Sequence, residues 1–337
     1  MGLTAKKISD DLTDYLQKLT GGAVEISNVK KLTGGAIQEN WALDIVVEEG
    51  DWAGGHALVF RCDARSGVAT SHSRANEFAL LKAANQTGVK VPVPCLLCDD
   101  MSVLGRHFFL MHRVNGEAAG HKLVRLPEMS GLAYELGENL ARIHSIVPPR
   151  DDLNFLGSPP ENPAVAAIAL YRSYLDVFET SHPAIEWGLR WLEINAPAPG
   201  DAVLCHRDYR TGNYMVEDGH LRAVLDWEFA GWSAPLEDIG WLLAKCWRFG
   251  SNQKEVGGVG SRSDFYRGYE SASGKTVDKD AVYYWEVMAH VRWAVIACQQ
   301  AERHVSGEER SLELALTAHV IPELELEILN MTEPGHA

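Results

Sequence analysis

Residues 6–20 place Ile8, Leu12, Tyr15, Leu16 and Leu19 at helical spacing before Gly21-Gly22, which predicts an amphipathic helix at the start of the chain. Three short β-branched or aromatic runs follow, VEISNVKKL, NWALDIVV and HALVFRC, each bounded by glycine or polar residues. They read as strands. Helical spacing returns at about 72–87, with Phe78, Leu81 and Ala84 on one face, and Val91-Pro-Val-Pro94 breaks it. VPCLLCDD and HFFLMHRV then read as a strand pair around a turn near Gly105. After Asn115-Gly116 the pattern becomes helical: Leu132, Leu136, Leu140 and Ile143 share a face in 130–146, and Pro148-Pro149 stop that helix. Two helices are predicted in 164–195, and the tail from roughly 262 to 331 is helical almost throughout.

This pattern predicts an α+β fold in two lobes: a β-rich N-lobe over 1–113 and an α-rich C-lobe over 114–337. A length of 337 residues, too long for one small core, agrees. No internal repeat interrupts it. The N-terminus lacks the continuous apolar core of a signal peptide, and no run reaches the roughly 18 apolar residues of a membrane helix. Six scattered cysteines form no disulfide framework, and the isolated Cys95-Leu-Leu-Cys98 has no second pair nearby. The expectation is a reducing, cytoplasmic compartment. A formal charge of −15 offers no basic stripe for a phosphate backbone, so neither nucleic acid nor a membrane is expected as partner. Oligomeric state is not legible.

Three features carry chemistry. Leu32-Thr-Gly-Gly-Ala-Ile-Gln-Glu-Asn-Trp41 is a glycine turn between two strands; by itself it reads more readily as an ordinary hairpin turn than as a phosphate cradle, which it also suits. Arg61 ends a strand, and Glu77 lies sixteen residues on, in the next helix. Paired, they would present a cationic fork to phosphate oxygens; unpaired, they are surface charges. The third is LCHRDYRTGNYMV at 204–216 together with AVLDWEF at 223–229. Strands YMVED and LRAVLDW, turning at Asp218-Gly219, would bring Asp226 back beside Asn213. An oxygen pair of Asn213 and Asp226 suits Mg²⁺, whose shell water and phosphates complete. Asp208 is placed to accept or orient a hydroxyl proton. His206 fits a brace of the loop better than an H-x-D metal pair, because the other histidines are dispersed. No G-x-S-x-G elbow supports a serine hydrolase.

The motif H-x-D-x-x-x-x-N followed by L-D-W-E resembles the aminoglycoside phosphotransferase-like (choline kinase-like) family of the protein-kinase-like superfamily. FFLMHRVNG is similar to the family's hinge, SGLAYELGENLARIHSI to its leucine-rich helix ending in a histidine, and Ser233–Ile239 to its P-x-x-D segment. The resemblance implies ATP or GTP and Mg²⁺ as cofactors and a small-molecule hydroxyl as acceptor. It makes Asp208 the catalytic aspartate and Asn213 and Asp226 the metal ligands. It also assigns Arg61, Glu77, Gly34, Gly35, Gln38 and Asn40 to the phosphates, Met111, His112 and Val114 to the adenine hinge, and Asp238 to a bracing role. Two residues depart from the family pattern: Arg207 replaces the usual glycine, and Arg61 the usual lysine. His-Arg-Asp also occurs in protein kinases, but about a dozen residues separate Asp226 from Asp238, too few for an activation segment, and no D-F-G or A-P-E is present. Arg at position 61 is shared with the kinase-like domains associated with acyl-CoA dehydrogenases, which favours a hydroxyacyl-CoA-type acceptor. An aminoglycoside kinase and a non-catalytic nucleotide-binding protein are the alternatives. Glu228, which shares the strand face of Asp226 if that strand continues and is otherwise a solvated or structural acid, and Arg210, Trp232, Arg248 and Arg292 are the candidate acceptor residues; of Trp227, Trp232, Trp241 and Trp247, most are expected in the C-lobe core and one or two lining the cleft. Of the tail helix, Glu286, His290 and Arg292 are expected to face a cleft or a paired partner.

Overall fold

A computed structural model describes residues 3–32, 38–63, 71–127, 129 and 131–333. Helix α1 (Ala5–Thr20) is capped by Thr4, whose hydroxyl accepts the Lys7 N–H, and ends at left-handed Gly21. Strands β1 (Val24–Lys31), β2 (Gln38–Val47) and β3 (Gly54–Asp63) follow, then α2 (Arg74–Gln86), β4 (Pro94–Cys98), the short α3 (Met101–Leu104) and β5 (Phe108–His112). The five strands form one antiparallel sheet in the order β1-β2-β3-β5-β4. The turn expected near Gly105 is the left-handed cap of α3, so one helical turn joins β4 and β5.

Because strand side chains alternate, the sheet has two distinct faces. Leu43, Ile45, Leu58, Phe60 and Cys62 are buried with Ile8, Leu12 and Leu16 of α1. Val59, Phe109 and Met111 join Leu80, Leu81 and Ala84 of α2 in a core that continues into the C-lobe. Arg61 lies on this second face, opposite Asn40 in the β2–β3 register.

Beyond the sheet come α4 (Gly120–Leu123), α5 (Leu132–Ile143), α6 (Pro163–Leu175) and α7 (Pro183–Ile194). Two small antiparallel ladders then form, β6 (Val203–Cys205) with β9 (Gly231–Ser233), and β7 (Tyr214–Glu217) with β8 (His220–Val224). Helices α8 (Pro235–Leu243), α9 (Arg262–Ser273), α10 (Lys279–Val305), α11 (Leu312–Thr317) and α12 (Ile321–Thr332) complete the chain. Glycines at a crossing let α5 and α9 meet almost backbone to backbone. A Cβ on Gly268 would lie 2.1 Å from the Tyr134 carbonyl oxygen, and one on Gly137 2.2 Å from that of Phe265. Among the described residues no helix is long and apolar enough to cross a membrane, and all six cysteines are free.

Candidate active site

The loop between β6 and β7 is held from below by one buried carboxylate. Asp238, in the first turn of α8, accepts the N–H groups of His206 and Arg207, each at 2.7 Å, and lies 3.3 Å from His144 Nε2. Burial alone would raise its carboxyl; His144, His206 and these backbone donors hold it below the usual range instead. His144, Cys205 and Asp238 are also the one cluster of metal-ligating type among the described residues. With both Asp238 oxygens accepting backbone N–H groups and the ring of His144 reaching Tyr269 Oη at 2.9 Å, the cluster braces the loop.

The backbone turns left-handed at Arg207, φ +61°. This conformation favours glycine, which is the family's usual residue there. The Arg207 side chain compensates by pairing with Glu237 at 3.2 Å. His206 is the brace expected of it. Its Nδ1 accepts the Asp208 N–H at 3.2 Å, and its Nε2 bonds the Leu225 carbonyl at 2.9 Å. Those two bonds require the neutral tautomer with the proton on Nε2, and burial lowers the ring's affinity for a second proton.

The predicted hairpin forms, with left-handed Asp218 and Gly219 at its turn. The Leu225 N–H then bonds the Asn213 carbonyl at 2.8 Å, which carries Asp226 back beside Asn213. Asn213 Nδ2 donates to the Asp208 carbonyl at 3.0 Å and to Asp208 Oδ2 at 2.5 Å, leaving its Oδ1 available to a cation. Asp208 Oδ1 accepts from Arg210 Nε at 3.0 Å and from Trp241 Nε1 at 2.9 Å.

The N-lobe faces this loop with Arg61. Its Nη2 and Nε meet the two Glu77 oxygens at 2.8 and 3.0 Å, and its Nη1 lies 3.2 Å from Asp226 Oδ1 and 3.3 Å from Asn40 Oδ1. Arg74 Nη1 also bonds Glu77. Arg61 and Glu77 are therefore a buried fork and its partner, not two surface charges. Of the two readings open for Glu228, the strand-face one fails. β8 ends at Val224 and Asp226 is itself left-handed, φ +59°. With no continuing strand, Glu228 leaves the Asp226 face and reaches Gln38 Nε2 at 2.6 Å across the cleft. Burial pushes its carboxyl up to about 7, against the pull of Arg61 and Gln38.

The remaining candidates divide. Arg210 is at the site. Arg292 reaches it indirectly, 3.4 Å from Glu237 and stacked 4.3 Å over the Trp241 ring. Trp232 Nε1 donates to the Gly157 carbonyl, and Arg248 donates to the carbonyls of Leu243 and Asn252. At the expected hinge, Met111 is buried in β5, while the N–H groups of His112 and Arg113 bond the carbonyls of Val93 and Ala57. Val114 offers the next N–H, which has no partner among the described residues. Gly34 and Gly35 lie outside the described residues. Trp241 belongs to the cluster of four tryptophans after Asp226, expected mostly as C-lobe core with one or two lining the cleft; its bond to Asp208 was not foreseen. It sits three residues after Asp238, on the same face of α8.

The family model for the phosphotransferase enzyme family, APH, matches residues 28–274. The chain belongs to this family. Acyl-CoA dehydrogenase family member 11 of Gallus gallus is 30% identical over 228 residues, which are 65% of this chain and 29% of that protein. Family member 10 of Mus musculus is 28% identical over 179 residues, 51% of this chain and 17% of that protein. The chain thus spans less than a third of either relative. Among solved structures, a candidate aminoglycoside phosphotransferase from Ralstonia eutropha superposes with a TM-score of 0.73 at 20% identity, covering 96% of this chain and 98% of that one. A spectinomycin phosphotransferase solved with ADP and spectinomycin gives 0.64 at 16% identity, covering 96% and 97%. These likenesses show that this APH-family chain has the two-lobed, protein-kinase-like α+β fold.

Proposed function

We propose that this APH-family protein transfers the γ-phosphoryl group of ATP to a hydroxyl of a small molecule. The observation that carries the reading is the convergence of Asp208, Asn213, Asp226 and Arg61 on one cleft, with Arg61 Nη1 3.2 Å from Asp226. The residues fit Mg²⁺ and a nucleotide. Asn213 presents an amide oxygen, Asp226 a part-exposed carboxylate, Arg61 a fork and Val114 a hinge N–H. Bound there, Mg²⁺ would neutralise phosphate charge as it builds on the bridging oxygen. Asp208 accepts the proton of the acceptor hydroxyl while the new O–P bond forms and the bond to the departing ADP breaks. Arg61 holds the phosphates in line, so most of the acceleration is positioning and charge compensation.

The likeness to acyl-CoA dehydrogenase family members favours a hydroxyacyl-CoA-type acceptor. An aminoglycoside is the second reading, favoured by the likeness to a phosphotransferase solved with spectinomycin. The test is ATP consumption across hydroxyacyl-CoAs, amino alcohols, sugars and aminoglycosides, with Asp208→Asn as control. We expect turnover with one class, reduced about 10²- to 10⁴-fold in the control. ATP binding without transfer to any acceptor would leave a nucleotide-binding protein and sink the kinase reading.

A further inference from the structure

The geometry points to Trp241 as a positioning residue that fixes which oxygen of Asp208 meets the acceptor; this rests on Asp208 having the role given above. A carboxylate offers roughly four lone-pair sites. On Asp208, Oδ1 takes two donors, the Trp241 indole at 2.9 Å and Arg210 Nε at 3.0 Å. Oδ2 takes one, Asn213 Nδ2 at 2.5 Å. The remaining site is on Oδ2, so that oxygen receives the hydroxyl hydrogen.

Trp241 is built for the task. It is 2% exposed and sits on α8, the helix whose Asp238 holds the loop backbone. Its ring packs on Trp247 at 5.0 Å, and Trp247 packs in turn on Trp293 at 5.0 Å. Arg292 over one face draws electron density from the indole and sharpens its N–H as a donor. Arg210, the second donor, is stacked 4.5 Å over Trp247. The aromatic wall therefore fixes both groups on Oδ1, and a carboxylate pinned at one oxygen cannot swing away from the acceptor.

Two measurements test this without knowing the acceptor. Trp241→Phe keeps the ring under Arg292 and removes the N–H. With ATP and Mg²⁺ alone, water serving as acceptor, turnover should fall on the order of 10- to 100-fold, while the KM for ATP stays within about twofold. In a ¹H–¹⁵N spectrum of the full chain, the indole resonance lost in Trp241→Phe should move markedly in Asp208→Ala and less in Asp208→Asn. Wild-type turnover in a folded Trp241→Phe, or an indole resonance indifferent to Asp208→Ala, overturns the assignment. If the wild type consumes no ATP with any acceptor, the phosphotransfer reading falls, and the indole resonance still decides whether Trp241 holds Asp208.

Discussion

Arg207 shows how one residue can break a local rule and be supported by its surroundings. A left-handed backbone costs a residue with a Cβ about 1–2 kcal/mol. Here the same conformation aims the Arg207 N–H at Asp238 Oδ1, and the side chain reaches Glu237. Removing the side chain leaves Glu237 with Arg292 and the Ser233 hydroxyl. The two effects can be separated by comparing Arg207→Ala with Arg207→Gly. Both lose the ion pair, but only alanine retains the strain. We expect Arg207→Gly to be the more stable by about 1 kcal/mol in chemical denaturation. Equal stabilities would mean that the left-handed turn carries no cost.

Between elements, the site depends on contacts remote from it. The ring of His144, immediately after α5, meets both Asp238 at 3.3 Å and Tyr269 of α9 at 2.9 Å. The α5–α9 crossing therefore sets the height of the bracing carboxylate, and its closeness requires glycine. Gly268→Ala would force the helices apart, at about 1–3 kcal/mol. The expected outcome is a lower melting temperature together with reduced ATP turnover. Full activity in a destabilised variant would show that the brace is insulated from the crossing. The site was legible where periodicity and turn chemistry determine it: Asp218-Gly219 closes a hairpin that returns Asp226 to Asn213. Glu228 would share the face of Asp226 only if the strand continued, and Asp226's left-handed backbone ends it. Trp241 stayed hidden because its bond to Asp208 spans 33 residues and depends on how α8 docks under the loop. No local pattern encodes that docking.

Across the whole molecule, the lobes are joined around the cleft by polar contacts of half-buried residues. His72, just before α2, bonds the Glu228 carbonyl through its N–H at 2.9 Å and the Ala230 carbonyl through its ring at 2.7 Å. Lys90 donates its N–H to Asn139 of α5 and accepts the Val224 N–H, each at 2.8 Å. The two-lobed plan was readable from the change in periodicity after Asn115-Gly116, whereas these ties join residues too far apart in sequence for any pattern to show. Buried titratable groups link the stability of the whole fold to pH, and His290 tests the link. It is 2% exposed in α10, its Nδ1 bonds the Glu286 carbonyl at 2.7 Å, and burial lowers its pKa below 6.5. Below 6.5 the unfolded chain binds a proton at this ring that the folded chain does not. Stability therefore rises with pH between the depressed folded value and 6.5, and is lost as pH falls through that window. Urea unfolding at about pH 7.5 and 5.5 should show a smaller loss in His290→Gln than in the wild type, with His206 contributing equally to both. Equal losses in the two proteins would show that the folded ring takes up its proton as readily as the unfolded one.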